Sequence, residues 1–487
     1  MSNNELSFSD RSGELTPEPA QQVVSQEPIS PLSMGESVSP LPLSPVENWA
    51  LPVRSTVFPL HPNFWWALLW CLVMLLFSQV PGGIVAVVVI FALLLLQQTP
   101  LEGRDFASLM QSEPMQIGMG VGIATAFTLL GLLSILCLRI VAGRHWHREV
   151  ALRRPAFSHV LLVLAATPAF IVLANAAYGL VRHPQFLALP GMDDLGGVAA
   201  FLLSLFAALS VAAVLCLLLY GFLGDHWPRR LPGGAVPLGQ VTYSLLGLVG
   251  FVVVAWGFFQ WLAPSMRTAL PSSQEPLDME GLERVLSGWP IVLAVLLIGV
   301  FPGVCEELWC RGFIGRGLVG LHGYFWGVLL SSFLFGLIHG DPRQGTMAMV
   351  LGVVLHLIYL LGRSLWLPIL LHFLNNSLAV TLPRFLNIDQ RVASADPYLL
   401  GLLLGAAVLL LLSVGLALWA SRARLVSAVE GPTWQPAFPG VACPPPDSGT
   451  RVIVPAVPVS LATLVLLALT LFVGTAYLTL MVPGRLA

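Results

Sequence analysis

The sequence contains no lysine: all 23 of its basic residues are arginine. Nothing in the physics of the chain accounts for that bias. Charge of either sign is scarce, at 10% of residues against 56% hydrophobic, whereas a soluble globular chain is about one quarter charged. That scarcity excludes an ordinary soluble domain and indicates a chain that crosses a bilayer many times. A net charge of −2 gives no hint of a nucleic-acid partner. Six cysteines are present without a C-x-x-C pair, which argues against a disulfide or zinc-thiolate framework. Cys71, Cys137, Cys216 and Cys305 lie in apolar runs, where a thiol acts as a small hydrophobe. No short, positively charged signal segment opens the chain, so the first spanning helix is expected to serve as its own insertion signal. Alternating segments of barrel type are missing too, leaving an all-α polytopic architecture.

Residues 1–58 are rich in Ser, Pro and Glu, and Glu5, Asp10, Glu14, Glu18, Glu27, Glu36 and Glu47 outnumber Arg11 and Arg54. Such a stretch cannot bury enough surface to offset its ordering entropy and is expected to be a disordered acidic cytoplasmic tail. Residues 59–284 hold about five apolar spans, near 64–96, 115–141, 157–181, 196–224 and 240–264. The first is too long for one straight span and too short for two, so one tilted or kinked helix is expected around Pro81-Gly82-Gly83. Four runs occupy 285–385, near 287–320, 322–340, 345–361 and 365–383. Two more, near 398–420 and 457–482, fill 386–487 around a Pro-rich loop at Cys443. The total is about eleven transmembrane helices. The cluster Arg139, Arg144, Arg148, Arg153 and Arg154 places the N-terminus inside by the positive-inside rule.

Where charge does enter the apolar runs, it is concentrated. Glu306, Glu307 and Arg311 stand within six residues of one helix, and each charge costs about 2.5–3.5 kcal/mol at a helix centre in the bilayer. Glu307 and Arg311 are four apart, the favourable order for a carboxylate–guanidinium pair, while Glu306 points about 100° away and is freer for chemistry. Phe335 and His339 share a helical face, as do His372 and Asn376. The turn at Leu321-His322-Gly323 makes a helical hairpin in which Glu306 and His339 stand at nearly the same height, at about 1.5 Å per residue. Bringing His372 to that height requires this hairpin to project beyond the next turn, at Gly362-Arg363-Ser364. The set suits water activation. A glutamate can act as general base, and a histidine can hold the same water or protonate a leaving amine. An amide with a second imidazole can donate to an oxyanion. Glu306, His339 and His372 could instead ligate zinc.

These residues, Glu306-Glu307…Arg311, Phe335…His339 and His372…Asn376, meet in order the pattern E-E-x-x-x-R, F-x-x-x-H, H-x-x-x-N. The chain thereby resembles the CPBP (CAAX prenyl protease and bacteriocin-processing, or Abi) intramembrane proteases over about residues 285–385. The resemblance implies a metal-independent glutamate endopeptidase without cofactor, acting on a peptide or protein substrate at the bilayer. It implies that Glu306 activates water, that His339 assists, and that His372 with Asn376 forms the oxyanion hole. Glu307 and Arg311 would shape the site.

Blander readings stand beside this one. The glutamates could staple helices through ion pairs, although Arg311 can satisfy only one carboxylate well. His356 reads as a satisfied core histidine; lying as far from the turn as His372, it is also a candidate to support the site or line the substrate. Cys305 and Cys310 flank the motif, and nothing marks them as nucleophiles. A proton-coupled carrier also places such groups at mid-membrane, but no internal repeat is present. A proteolytically dead scaffold would be expected to lack part of the motif, and none is missing.

Overall fold

The computed structural model describes residues 64–98, 111–182, 286, 288–339, 342–386, 397–427, 434 and 441–481. The expected tail 1–58, the spans 196–224 and 240–264, and most of the loop before Cys443 lie outside them. The described chain is helical: α1 (Phe64–Leu96), α2 (Glu113–Ala142), α3 (Phe157–Arg182), α4 (Ile291–Leu337), α5 (Pro342–Gly362), α6 (Trp366–Leu386), α7 (Pro397–Ala420) and α8 (Val459–Met481). Between α7 and α8 lies a small departure from the all-helical expectation. Strands β1 (Arg424–Ser427) and β2 (Thr450–Ile453) pair antiparallel, Arg424 opposite Ile453.

Among the described residues, seven helices are long and apolar enough to cross a membrane. Three things separate this number from the expected eleven or so. Two expected spans are not described. The 47-residue run α4 folds back at Gly323 (φ +78°), a backbone conformation natural to glycine, and so contains two expected spans. Helix α6 carries His372, Asn375 and Asn376 and is less apolar than the others. Outward-facing side chains such as Phe91, Val292 and Leu467 are largely exposed, a surface suited to lipid rather than water.

Helix α1 is continuous, as one kinked helix would be. Its turn Leu75–Gln79 is widened to a π-helix, with Val80 N–H reaching Leu75 O, immediately before Pro81. Proline cannot donate to the preceding turn and crowds it, and a widened turn absorbs that conflict. The same device recurs in α4, where the π segment Val295–Val300 precedes Pro302. A third π segment, Leu308–Gly315, has no proline. It begins directly after Glu306-Glu307, and its Cys310 carbonyl accepts a hydrogen bond from Ser331 Oγ at 3.1 Å.

One end of the bundle is tied together by arginine and backbone groups. Helix α5 ends at Gly362 and is followed by Arg363, whose φ is +44°, and its last carbonyls need partners. Gly362 O and Arg363 O accept from Arg153 (both 2.7 Å), and Leu361 O accepts from Ala423 N (2.9 Å). Arg363 itself donates to Ala442 O at 2.8 Å, and Cys443 N donates to Arg148 O at 2.8 Å. Burial pushes the Cys443 thiol up, with the Arg153 and Arg363 guanidiniums opposing the shift. These bonds gather the arginine-rich loop after α2, the α5–α6 turn and the segment before β2 at one face. Arg384 lies at the other, donating to Trp289 O (2.8 Å) and to Leu286 O.

This arrangement fixes the height of the site. Arg316 pairs with Glu149, Tyr359 Oη donates to Val150 O (3.0 Å), and Leu365 N donates to Ala151 O (3.1 Å). Arg316, Tyr359 and Leu365 thus share a level, and the α4 hairpin continues past it to Gly323. This is the projection that His372 requires. Glu307 lies nine residues before Arg316, most of them in the widened segment Leu308–Gly315, and His372 lies seven after Leu365, about 11 Å along α6. Replacing Tyr359 by Phe removes one buried hydrogen bond from this level. It should cost about 1 kcal/mol of stability, read as a lowered unfolding midpoint in detergent at unchanged helicity.

Candidate active site

Helices α4 and α6 approach closely enough for their side chains to share one centre. A Cβ added to Gly303 would lie 3.2 Å from Phe373 N and 3.4 Å from Ile369 O. Gly299 and Gly303 therefore form a small-residue stripe against α6, the usual means of close helix approach in membranes. Glu306 and Glu307 follow one turn later, beside His372. The opposite side of the motif helix is held by α1, where Trp70 stacks edge-on against Trp309 (6.3 Å) and Phe313 (5.4 Å).

The two carboxylates occupy different environments. Glu307 is fully buried, and its Oε1 accepts from Arg311 Nη1 at 2.7 Å and from His372 Nδ1 at 2.8 Å. Arg311, 1% exposed, also donates to Gly352 O at 3.2 Å. Glu306 is 15% exposed, and its Oε2 lies 3.9 Å from His372 Nε2. Among the described residues that buried Oε2 atom has no hydrogen-bond partner, and neither has Glu307 Oε2. A carboxylate of this kind retains acceptor capacity that its surroundings do not fill.

Phe335 is the hub of the remaining contacts. Its ring lies under the Arg311 guanidinium, 4.5 Å from centroid to Cζ, within cation–π range. The rings of His339 (4.9 Å) and His372 (6.0 Å) meet it edge-on. His339 Nδ1 donates to Phe335 O at 2.7 Å, and a carbonyl can only accept, so the neutral ring presents its Nε2 lone pair. His372 is in the same position, since Glu307 receives its Nδ1 proton. Both imidazoles are thereby oriented through one nitrogen, leaving the other for chemistry.

The structure thus brings Glu306, Glu307, Arg311, Phe335 and His372 together, with His339 joined to them through the Phe335 ring. Asn376 lies one turn along α6, where its Nδ2 donates to Ile298 O (3.0 Å) and its Oδ1 accepts from Asn375 (3.0 Å). It therefore also holds the π segment before Pro302. His356 is buried, with its Nδ1 unpartnered among the described residues and its ring 6.1 Å from Tyr359. It lies behind the motif helix: a Cβ on Gly315 would fall 2.5 Å from His356 Cε1. Reading the sequence does not single out Ser331 or Asn375. The Asn375-Asn376 pair in an apolar helix is a legible signal; a lone serine bonding a widened turn is not. Among the described residues no three His, Cys, Asp or Glu side chains form a metal-ligating group.

Fold and site together define the class: a multi-pass helical membrane protein with a buried carboxylate, imidazole and guanidinium centre. Within that class, residues 288–378 match the family described as type II CAAX prenyl endopeptidase, Rce1-like, less than one fifth of the chain. The match contains all three motifs, so the resemblance read from them holds for this segment. The chain is also similar to YdiL of Bacillus subtilis (strain 168), provisionally described as a membrane peptidase, at 26% identity over 157 residues. That alignment covers 31% of this chain and 63% of YdiL, so the chain spans less than two thirds of that relative's length. No solved structure matches the chain at a significant level.

Proposed function

We propose that the chain is an intramembrane endopeptidase that hydrolyses a membrane-associated peptide, such as a prenylated tail or a leader peptide, by glutamate-activated water. The observation that carries this reading is the buried Glu306 Oε2, without a hydrogen-bond partner among the described residues and 3.9 Å from a histidine nitrogen whose ring is fixed from behind. A water within hydrogen-bond distance of both atoms would subtend about 90° at its oxygen, close enough to the water angle for both protons to be donated. Glu306 then accepts a proton as the water oxygen attacks the scissile carbonyl. The resemblance gives His339 the part of assisting the water, which its Nε2 lone pair, with Nδ1 held on Phe335 O, does by accepting a proton in alternation with His372. His372, once it carries a proton on Nε2, and the second amide proton of Asn376 are the donors available to the oxyanion. Glu307 and Arg311 keep the charges paired in low dielectric. The arginine-rich face is the cytoplasmic one, which puts the N-terminus inside.

The test uses full-length protein in phospholipid vesicles with an internally quenched, farnesylated peptide ending in a CAAX sequence. Cleavage is expected, with a rate unchanged within about twofold by a zinc chelator, since no step needs a metal. Loss of activity on chelation, restored by zinc, would favour Glu306, His339 and His372 as metal ligands. Cleavage that persisted fully in His339→Ala would remove that histidine from the mechanism.

A further inference from the structure

We propose that Glu307 is a positioning residue that locks His372 in its Nδ1–H form, and that His372 is the proton carrier between Glu306 and the leaving amine. This inference rests on the peptidase reading and adds a route for the proton. Glu307 would otherwise be only the partner of Arg311, yet one oxygen, Oε1, serves both Arg311 Nη1 (2.7 Å) and His372 Nδ1 (2.8 Å). A carboxylate can only accept, so the Nδ1 proton is fixed by a fully buried partner that is itself held in place by a guanidinium. With Nδ1 protonated, the Nε2 of a neutral ring carries a lone pair, and it faces Glu306 Oε2 at 3.9 Å. The arrangement carboxylate, imidazole, reacting group is the logic by which a buried acid sets the tautomer of a catalytic histidine.

The geometry constrains the order of events. An Nε2 lone pair repels an oxyanion, so His372 can stabilise one only after gaining a proton. In the first step the water oxygen bonds to the carbonyl carbon, the carbonyl π pair moves to oxygen, and one water proton passes to Glu306. That proton reaches His372 Nε2 through the new hydroxyl, which stands where the water bridged the 3.9 Å gap: the hydroxyl gives its own proton to Nε2 and takes the one on Glu306 Oε2, forming an imidazolium between two carboxylates. Its new Nε2–H donates to the oxyanion as that charge is present. In the last step the oxyanion reforms the carbonyl, the C–N pair leaves with nitrogen, and His372 gives its proton to the amine. Glu306 and His372 return to their starting states, and the net reaction is addition of one water across the peptide bond.

Glu307→Gln separates this role from a merely structural one. The amide keeps the size and one acceptor oxygen, but its NH₂ can turn towards Nδ1 and favour the Nε2–H tautomer. In the vesicle assay with the farnesylated peptide, kcat is expected to fall about 10²- to 10⁴-fold, by analogy with tautomer loss in catalytic triads, with KM within about threefold. A second readout needs no substrate: nitrogen-15 spectra of histidine-labelled protein in lipid, with His372 assigned through His372→Gln. The parent should show His372 with Nδ1 protonated, and Glu307→Gln should show proton density moved to Nε2. A bare Nδ1 in the parent, or a variant retaining the parent's kcat, would overturn the proposal. If no peptide is cleaved by any form, the peptidase reading fails while the spectra still decide the state of His372.

Discussion

Replacing Arg311 by Met should destabilise the folded protein by about 3–5 kcal/mol, the range for removing one partner of a buried ion pair. The cost arises from what is left behind. Glu307 is fully buried, and its Oε1 would keep only the His372 bond while its Oε2 already lacks a partner among the described residues. Gly352 O would lose its guanidinium donor, and Phe335 the cation above its ring. The double variant Glu307→Gln with Arg311→Met should recover much of the loss, because an apolar or neutral pair avoids the desolvation of two charges. It should nevertheless stay inactive, since His372 no longer has its carboxylate. Reversible unfolding in detergent or bicelles measures both effects. Equal stability of parent and Arg311→Met would mean that the pair contributes nothing to the fold.

Glu306→Gln should have the opposite profile. Cleavage is expected to fall about 10²- to 10⁴-fold, the usual share of a general base. Stability should be unchanged or higher, because a neutral amide replaces a carboxylate that is mostly buried and makes no hydrogen bond through Oε2 among the described residues. A group kept at a cost to stability is the signature of a functional site. The two adjacent glutamates are therefore distinguished by opposite responses: neutralising Glu306 removes chemistry, and stripping Glu307 of Arg311 removes structure.

Much of this site is legible in the amino-acid sequence. The cost of charge in lipid singles out Glu306, Glu307 and Arg311, and helical periodicity pairs Glu307 with Arg311, a pairing present at 2.7 Å. Hairpin arithmetic puts His339 at nearly the height of Glu306, and the turn at Gly323 has the positive φ that such a reversal needs. The dependence of His372 on a projecting hairpin is also readable, although the projection itself is not. It depends on Glu149, Val150 and Ala151 meeting Arg316, Tyr359 and Leu365, contacts between segments some 170 to 210 residues apart. Local pattern carries no information about such contacts. The widened turns are hidden for a related reason. Two announce themselves only through a following proline, and at the third Ser331 reaches Cys310 O from another arm of the hairpin. The orientation of His372 towards Glu307 lies beyond periodicity as well, because two neighbouring carboxylates offer the same chemistry until a third helix chooses between them.

The most direct measurement is mass spectrometry of the farnesylated peptide after incubation with vesicles containing the full-length protein, in parallel with Glu306→Gln. Hydrolysis by water activated at Glu306 predicts two fragments from the parent whose masses sum to the peptide plus one water, and intact peptide from the variant. Fragments appearing at equal rates with both proteins would contradict it.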